Sequence, residues 1–203
     1  MNPSEYPDAD RVLADLGGPL VRSFVDAVDG ARDDYAALRE WHPDWFPSFT
    51  NRFTANFLHE RIWDRLVRVV IDMEGVHVTD AEPTRELHSG TTYLIRIKRH
   101  HAGDRISAYP TDASRAFWSN RVVTLDGMES WSLALGYYWD GDERSVGDAT
   151  LSFRDGKDNP IWAVRLHRAP GSVTSFSWSP LAPDLPEIDL SGVAFGTEEA
   201  LGQ

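Results

Sequence analysis

The chain has 203 residues, 41% of them hydrophobic and eight of them Trp, which is enough for one sizeable core. It contains no Cys, so disulfides and thiolate metal sites are excluded, and it has no apolar run of about 18 residues that would span a membrane. The formal charge is −12, unevenly spread: residues 1–49 carry ten acids against four bases, residues 93–121 six bases against two acids, and residues 170–203 five acids and no base.

The N-terminus, Met1 to Asp8, has neither a basic start nor an apolar core, so a cytoplasmic protein is expected rather than a secreted one. From residue 8 to 40, Val12, Leu16, Leu20, Phe24 and Val28 recur every four residues, which predicts helix. Gly17-Gly18-Pro19 divides it in two. In the loop Trp41 to Pro47, Pro43 and Pro47 forbid regular helix, and the large rings are expected to plug the core. Residues 50–72 predict a second helical stretch, with Phe53, Phe57, Trp63, Leu66, Val67 and Val70 as its apolar face. Thr50 or Asn51 is the expected N-cap, and Gly75 the stop.

After Gly75 the period falls to 2. Val76 to Leu87 reads as a broken strand. Along Tyr93 to His101, Tyr93, Ile95 and Ile97 face the core, while Arg96, Lys98 and His100 share the other face. Ser114–Trp118 predicts a short helix, and strands follow at Ser130–Trp139, Ala149–Arg154 and Ile161–Leu166. The last two flank a turn rich in Asp, Gly and Asn. The expected architecture is α+β: an N-terminal helical layer on a mainly antiparallel sheet. Residues 1–170 form one domain, its first 49 residues an acidic helical part, and 171–203 an acidic, Pro- and Ser-rich tail.

The basic strand is the first candidate site. Arg96, Lys98, Arg99 and Arg105, with Tyr109 nearby, suit phosphate binding and base stacking; Arg154 in the second turn extends the ligand-binding set. The competing reading is a solvated face whose charges pair with Glu82, Glu86 and the acidic ends. A second candidate is Asp140 with Asp155 and Lys157. A Mg²⁺-dependent nuclease needs an acid at one strand end and an acid-x-Lys on the next, so that two carboxylates hold the metal and Lys orients the water. Mg²⁺ is implied in that reading alone; otherwise no cofactor is expected. The competing reading is a pair of polar hairpin turns. The triple Asp72, Glu86 and Lys98 fails because Arg96 stands where the second acid belongs. No metal site is expected from the histidines. His59-Glu60 opens like a zinc helix, but Trp63 occupies the place of the second His, and the adjacent His100 and His101 point to opposite faces. Neither a Gly-x-Ser-x-Gly elbow nor a glycine-rich phosphate loop occurs.

Pro83 to Glu86, Arg96 to His100, Tyr109 to Thr111, Gly136 to Asp140 and Leu151 to Trp162 resemble motifs of a poorly characterised bacterial family. The resemblance covers roughly residues 50–168. Members of that family are often encoded beside a helix-turn-helix protein fused to a zinc-peptidase-like domain, a pairing typical of toxin–antitoxin, prophage-regulatory and phage-defence modules. The resemblance implies a component of such a two-gene module with a protein partner encoded nearby, and no activity; nucleic acid is expected as a further partner from the basic strand Arg96, Lys98, Arg99 and Arg105 alone. A third reading, from the acidic ends, is a DNA-mimicking inhibitor of a basic protein.

Overall fold

The computed structural model describes residues 6–81, 84–120, 130–168 and 176–180. Three helices form one layer: α1 (Ala9–Leu16), α2 (Gly18–Trp41) and α3 (Asn51–Val70). Asp8 caps α1 by accepting from the Arg11 backbone N–H at 2.8 Å. Gly17, at φ +77°, separates α1 from α2, and Pro19 sits in the first turn of α2, where its missing N–H costs nothing. Thr50 caps α3 through Phe53 N, as its sequence position predicts.

The sheet carries β1 (Val76–Ala81), β2 (Thr84–Ser89), β3 (Tyr93–His101), β4 (Arg105–Ile106), β5 (Trp131–Asp140), β6 (Ser145–Arg154), β7 (Pro160–Arg168) and β8 (Phe176–Pro180). Its order is β1-β2-β3-β5-β6-β7-β8, with β4 added beside the end of β3. All pairings are antiparallel except β3 with β5, which run parallel, Tyr93 opposite Trp131 and His100 opposite Tyr138. The connection between those two strands holds β4 and α4 (Asp112–Trp118). The fold is α+β, with the N-terminal helices packed on the sheet.

Two expectations change. The broken strand at 76–87 is a hairpin in which β1 and β2 pair from Val76 opposite Ser89 to Ala81 opposite Thr84. The tail read from 171 onward contributes β8, which pairs with β7; residues 181–203 of that tail lie outside the described residues.

Alternation sorts each strand between two faces. Leu87, Ile95, Leu133, Phe153, Leu151 and Val164 are buried under the helices. α2 lies across β6 and β7, and α3 across β1 and β3. The other face is built from small or polar residues: Ser132, Ala134 and Gly136 on β5, Thr150, Ser152 and Arg154 on β6. Part of it is covered by α4, where Trp118 packs with Ile106 and Ala134.

Candidate functional site

The basic strand is divided by its pleat. Arg96 lies on the face away from the helices. It donates from Nε to Glu86 Oε1 at 2.8 Å, and its guanidinium stacks 3.8 Å above the Phe117 ring. Arg99 points the other way, into the helical side. It is buried, donates to the Tyr137 hydroxyl at 3.1 Å and lies 4.5 Å over the Trp139 ring. The pairing of Arg96 with Glu86 is the one that the competing, structural reading of the strand expected.

Lys98 shares the outer face with Arg96. It is half-buried, and it makes no ion pair or side-chain hydrogen bond with other described residues. Burial and the Arg96 charge both pull its pKa down. Burial lowers the pKa of His59 on α3, and the Lys98 charge lowers it further. Arg105 is exposed and turns back to the Ala102 carbonyl at 3.3 Å, and Tyr109 is 78% exposed. Of the predicted anion-facing set, Lys98, Arg105 and Tyr109 retain polar groups free for a ligand; Arg96, Arg99 and Arg154 are committed inside the fold.

Arg154 departs most from a surface role, being 0% exposed. Its Nη2 donates to Asp104 Oδ2 at 3.0 Å, to the Asp104 carbonyl at 2.9 Å and to Ser152 Oγ at 2.8 Å; Nη1 donates to the Lys157 carbonyl at 2.7 Å. Asp104 follows Gly103 in a left-handed turn, at φ +49°, which places its carboxylate under the sheet end. Burial pushes the Asp104 carboxyl up to about 6, while the Arg154 charge opposes it. Buried His100 joins through Nε2, 3.0 Å from Ser152 Oγ and 3.7 Å from Asp104 Oδ1. Burial first, then Arg154, lowers the His100 pKa to about 3, so the ring is neutral.

This Asp–His–Ser grouping is not arranged for nucleophilic catalysis. Ser152 and Asp104 both approach Nε2, whereas a triad places acid and nucleophile on opposite ring nitrogens. Ser152 is also fully buried. The cluster instead pins the connection between β3 and β5 to the sheet. Asn120 completes the pin by donating to the Ser132 and Arg154 carbonyls at 3.1 and 2.6 Å and accepting from Ser132 N at 2.8 Å.

Asp140, Asp155 and Lys157 do not converge. Asp140 stands in the β5–β6 hairpin, where its Oδ1 accepts from Asp142 N and Glu143 N at 2.9 and 3.0 Å. Asp155 and Lys157 stand in the β6–β7 hairpin, at the other end of the ten-residue β6. At about 3.3 Å per residue, that strand separates them by on the order of 30 Å. Lys157 lies 3.6 Å from Asp158, and the backbone of Asp155 donates to the Asn159 carbonyl at 3.0 Å. Both segments are built as hairpin turns.

Among the described residues no group of three His, Asp or Glu side chains is placed to hold a metal ion. His77 and His88 meet across β1 and β2 at 5.8 Å between rings, but Glu86 beside them is held by Arg96. They lie toward the start of β3, away from His100 and His101. Part of the acidic charge of the helical layer is paired internally. Asp29 is held by Arg32, Asp34 by Arg61 and Arg65, and Asp64 by Arg61 and Arg68. A groove of about 430 Å³ between α2 and α3 is rimmed by Arg61, Asp64, Arg65 and Arg68 from these same pairs.

The loop after α2 holds what sequence reasoning misplaced. Phe46 plugs the core as expected, with Arg39 4.5 Å and Arg144 5.1 Å over its ring. Trp41 and Trp45 do not: they are 71% and 51% exposed, and Phe53 at the start of α3 is 42% exposed. The signal was present in Glu40, Pro43 and Asp44, polar or turn-forming neighbours that keep these rings outside.

Compared with protein-family models, curated proteins and solved structures, the chain matches none.

Proposed function

We propose that this protein is a component of a two-gene toxin–antitoxin or phage-defence module and that it acts by binding a protein partner encoded beside it. The family resemblance supports the module. One structural observation supports the mode: Arg96, Arg99 and Arg154 are spent on internal partners, while Trp41, Trp45 and Phe53 stand in solvent. Large aromatic side chains carry binding energy at protein interfaces, and groups of them left exposed mark such surfaces.

Nucleic-acid binding through the basic strand has weaker support, because it would rest on Lys98 and Arg105 alone. A Mg²⁺-dependent nuclease built on Asp140, Asp155 and Lys157 has none from the separation of those residues. The test is expression with and without the neighbouring gene, with one tagged protein used to recover the other. The expected result is stoichiometric co-purification of the neighbour's product. A protein that is harmless alone and recovers nothing from the co-expressing cell overturns the reading.

A further inference from the structure

Trp41, His42 and Trp45 form one stack at the C-terminal end of α2 and in the turn that follows. The His42 ring is parallel to Trp45 within 8° at 3.8 Å and lies 4.0 Å from Trp41. The two indoles meet edge to face at 6.2 Å. The turn is not loose. Trp45 N donates to the His42 carbonyl at 3.1 Å, Ser48 N donates to the Trp45 carbonyl at 3.0 Å, and buried Phe46 anchors it from below. The indoles are thus held outward on a fixed backbone.

Glu40 and Asp44 are sequence neighbours of Trp41 and Trp45. Both are exposed, and neither forms an ion pair among the described residues, unlike Asp29, Asp34 and Asp64 further along the layer. We propose that the stack is a receptor for cationic side chains, occupied by an arginine- or lysine-bearing segment of a protein partner. An indole face attracts a cation through its quadrupole more strongly than any other side-chain ring. The two unpaired carboxylates add charge complementarity at the same place, and the chain's charge of −12 draws a basic segment toward it. A nucleic-acid strand would meet the same carboxylates as repulsion. The inference rests on the partner-binding reading and narrows the partner to one with a basic surface.

The experiment is calorimetric titration of the full chain with a hexa-arginine peptide at about 150 mM salt. Four proteins are compared: wild type, W41A/W45A, E40Q/D44N and D10N/D33N, the last removing two exposed charges elsewhere on the helical layer. A single cooperative urea transition verifies folding in each. Expected is binding by wild type, about tenfold weaker binding by W41A/W45A, weaker binding by E40Q/D44N, and little change in D10N/D33N. Absence of binding, or equal losses in D10N/D33N and E40Q/D44N with none in W41A/W45A, overturns the proposal in favour of diffuse attraction. A concentration-dependent dimer abolished by W41A/W45A overturns it in favour of a second copy as occupant. Co-purification with the neighbour's product that survives W41A/W45A also overturns it while leaving the partner-binding reading standing; failure of wild type to co-purify strikes that reading instead.

Discussion

Arg154 and Asp104 are a buried ion pair whose attraction offsets only part of the cost of removing both charges from water, since burial still raises the Asp104 carboxyl to about 6. Removing Arg154 leaves the buried Asp104 carboxyl with nothing to oppose its desolvation, and removing Asp104 leaves the buried guanidinium without its ion pair. Arg154→Met is therefore expected to lower stability by about 3–5 kcal/mol in urea unfolding, and adding Asp104→Leu should recover part of that loss. His100 and Asp104 then set opposite responses to pH. His100 has a folded pKa of about 3 against 6.5 unfolded, so its contribution is complete above pH 6.5 and is lost as pH falls toward 3. Asp104 has a folded pKa of about 6 against 3.8 unfolded, so its proton is held better by the folded state. Its contribution is complete below 3.8 and is lost as pH rises through 6. The groups facing the pair are Arg154, Ser152 and His101, and none reverses these directions. The His100 window is the wider, so wild type should lose stability on acidification. His100→Gln is expected to flatten that loss and Asp104→Asn to steepen it between about pH 6 and 4, read from urea midpoints across that range.

At the scale of elements, the parallel pairing of β3 with β5 depends on one missing side chain. A Cβ on Gly136 would lie 1.5 Å from the Lys98 carbonyl oxygen and 3.1 Å from His100 Nδ1. The first neighbour is backbone and cannot rotate away. Gly136→Ala is expected to cost more than about 3 kcal/mol, the upper end for overpacking. Gly141, in the β5–β6 turn, has nothing within 4 Å of its would-be Cβ, so Gly141→Ala should stay within about 0.5 kcal/mol in the same unfolding measurement. Local signals announced most elements: a four-residue apolar step for α1 and α2, an apolar face and a capping threonine for α3, alternation for β3 and Asp-Gly for the β6–β7 turn. Three features were hidden because partners distant in sequence decide them. β8 lacks clear alternation and is held by ladder hydrogen bonds to β7. The parallel register of β3 with β5 joins strands that β4 and α4 separate in sequence. The network of His100, Asp104, Ser152 and Arg154 joins residues 50 apart, and nothing in either local pattern marks them as partners. Ser132, Ala134 and Gly136 at every second place did offer a clue, since such small residues on a strand leave room for a buried cluster above them.

For the whole molecule, the charge of −12 acts in two directions that one variable separates. Within the fold, like charges on the helical layer repel one another across distances that salt screens, since the Debye length is about 8 Å at physiological ionic strength. The close pairs Arg65–Asp34 at 2.7 Å and Arg154–Asp104 at 3.0 Å are far shorter than that length, and the second is shielded from solvent. Salt should therefore relieve the repulsion more than it weakens these contacts, and the urea midpoint is expected to rise as NaCl increases from about 20 to 200 mM. Association with a basic partner responds oppositely, because the same screening removes long-range attraction and slows encounter. The complex proposed here should form more slowly at 200 mM than at 20 mM NaCl, with dissociation changed less if the Trp41 and Trp45 rings hold the bound cations at short range. Stopped-flow association and dissociation rates across that salt range measure both. A dissociation rate that rises with salt as steeply as association falls would assign the binding to charge alone and leave the indoles without a role.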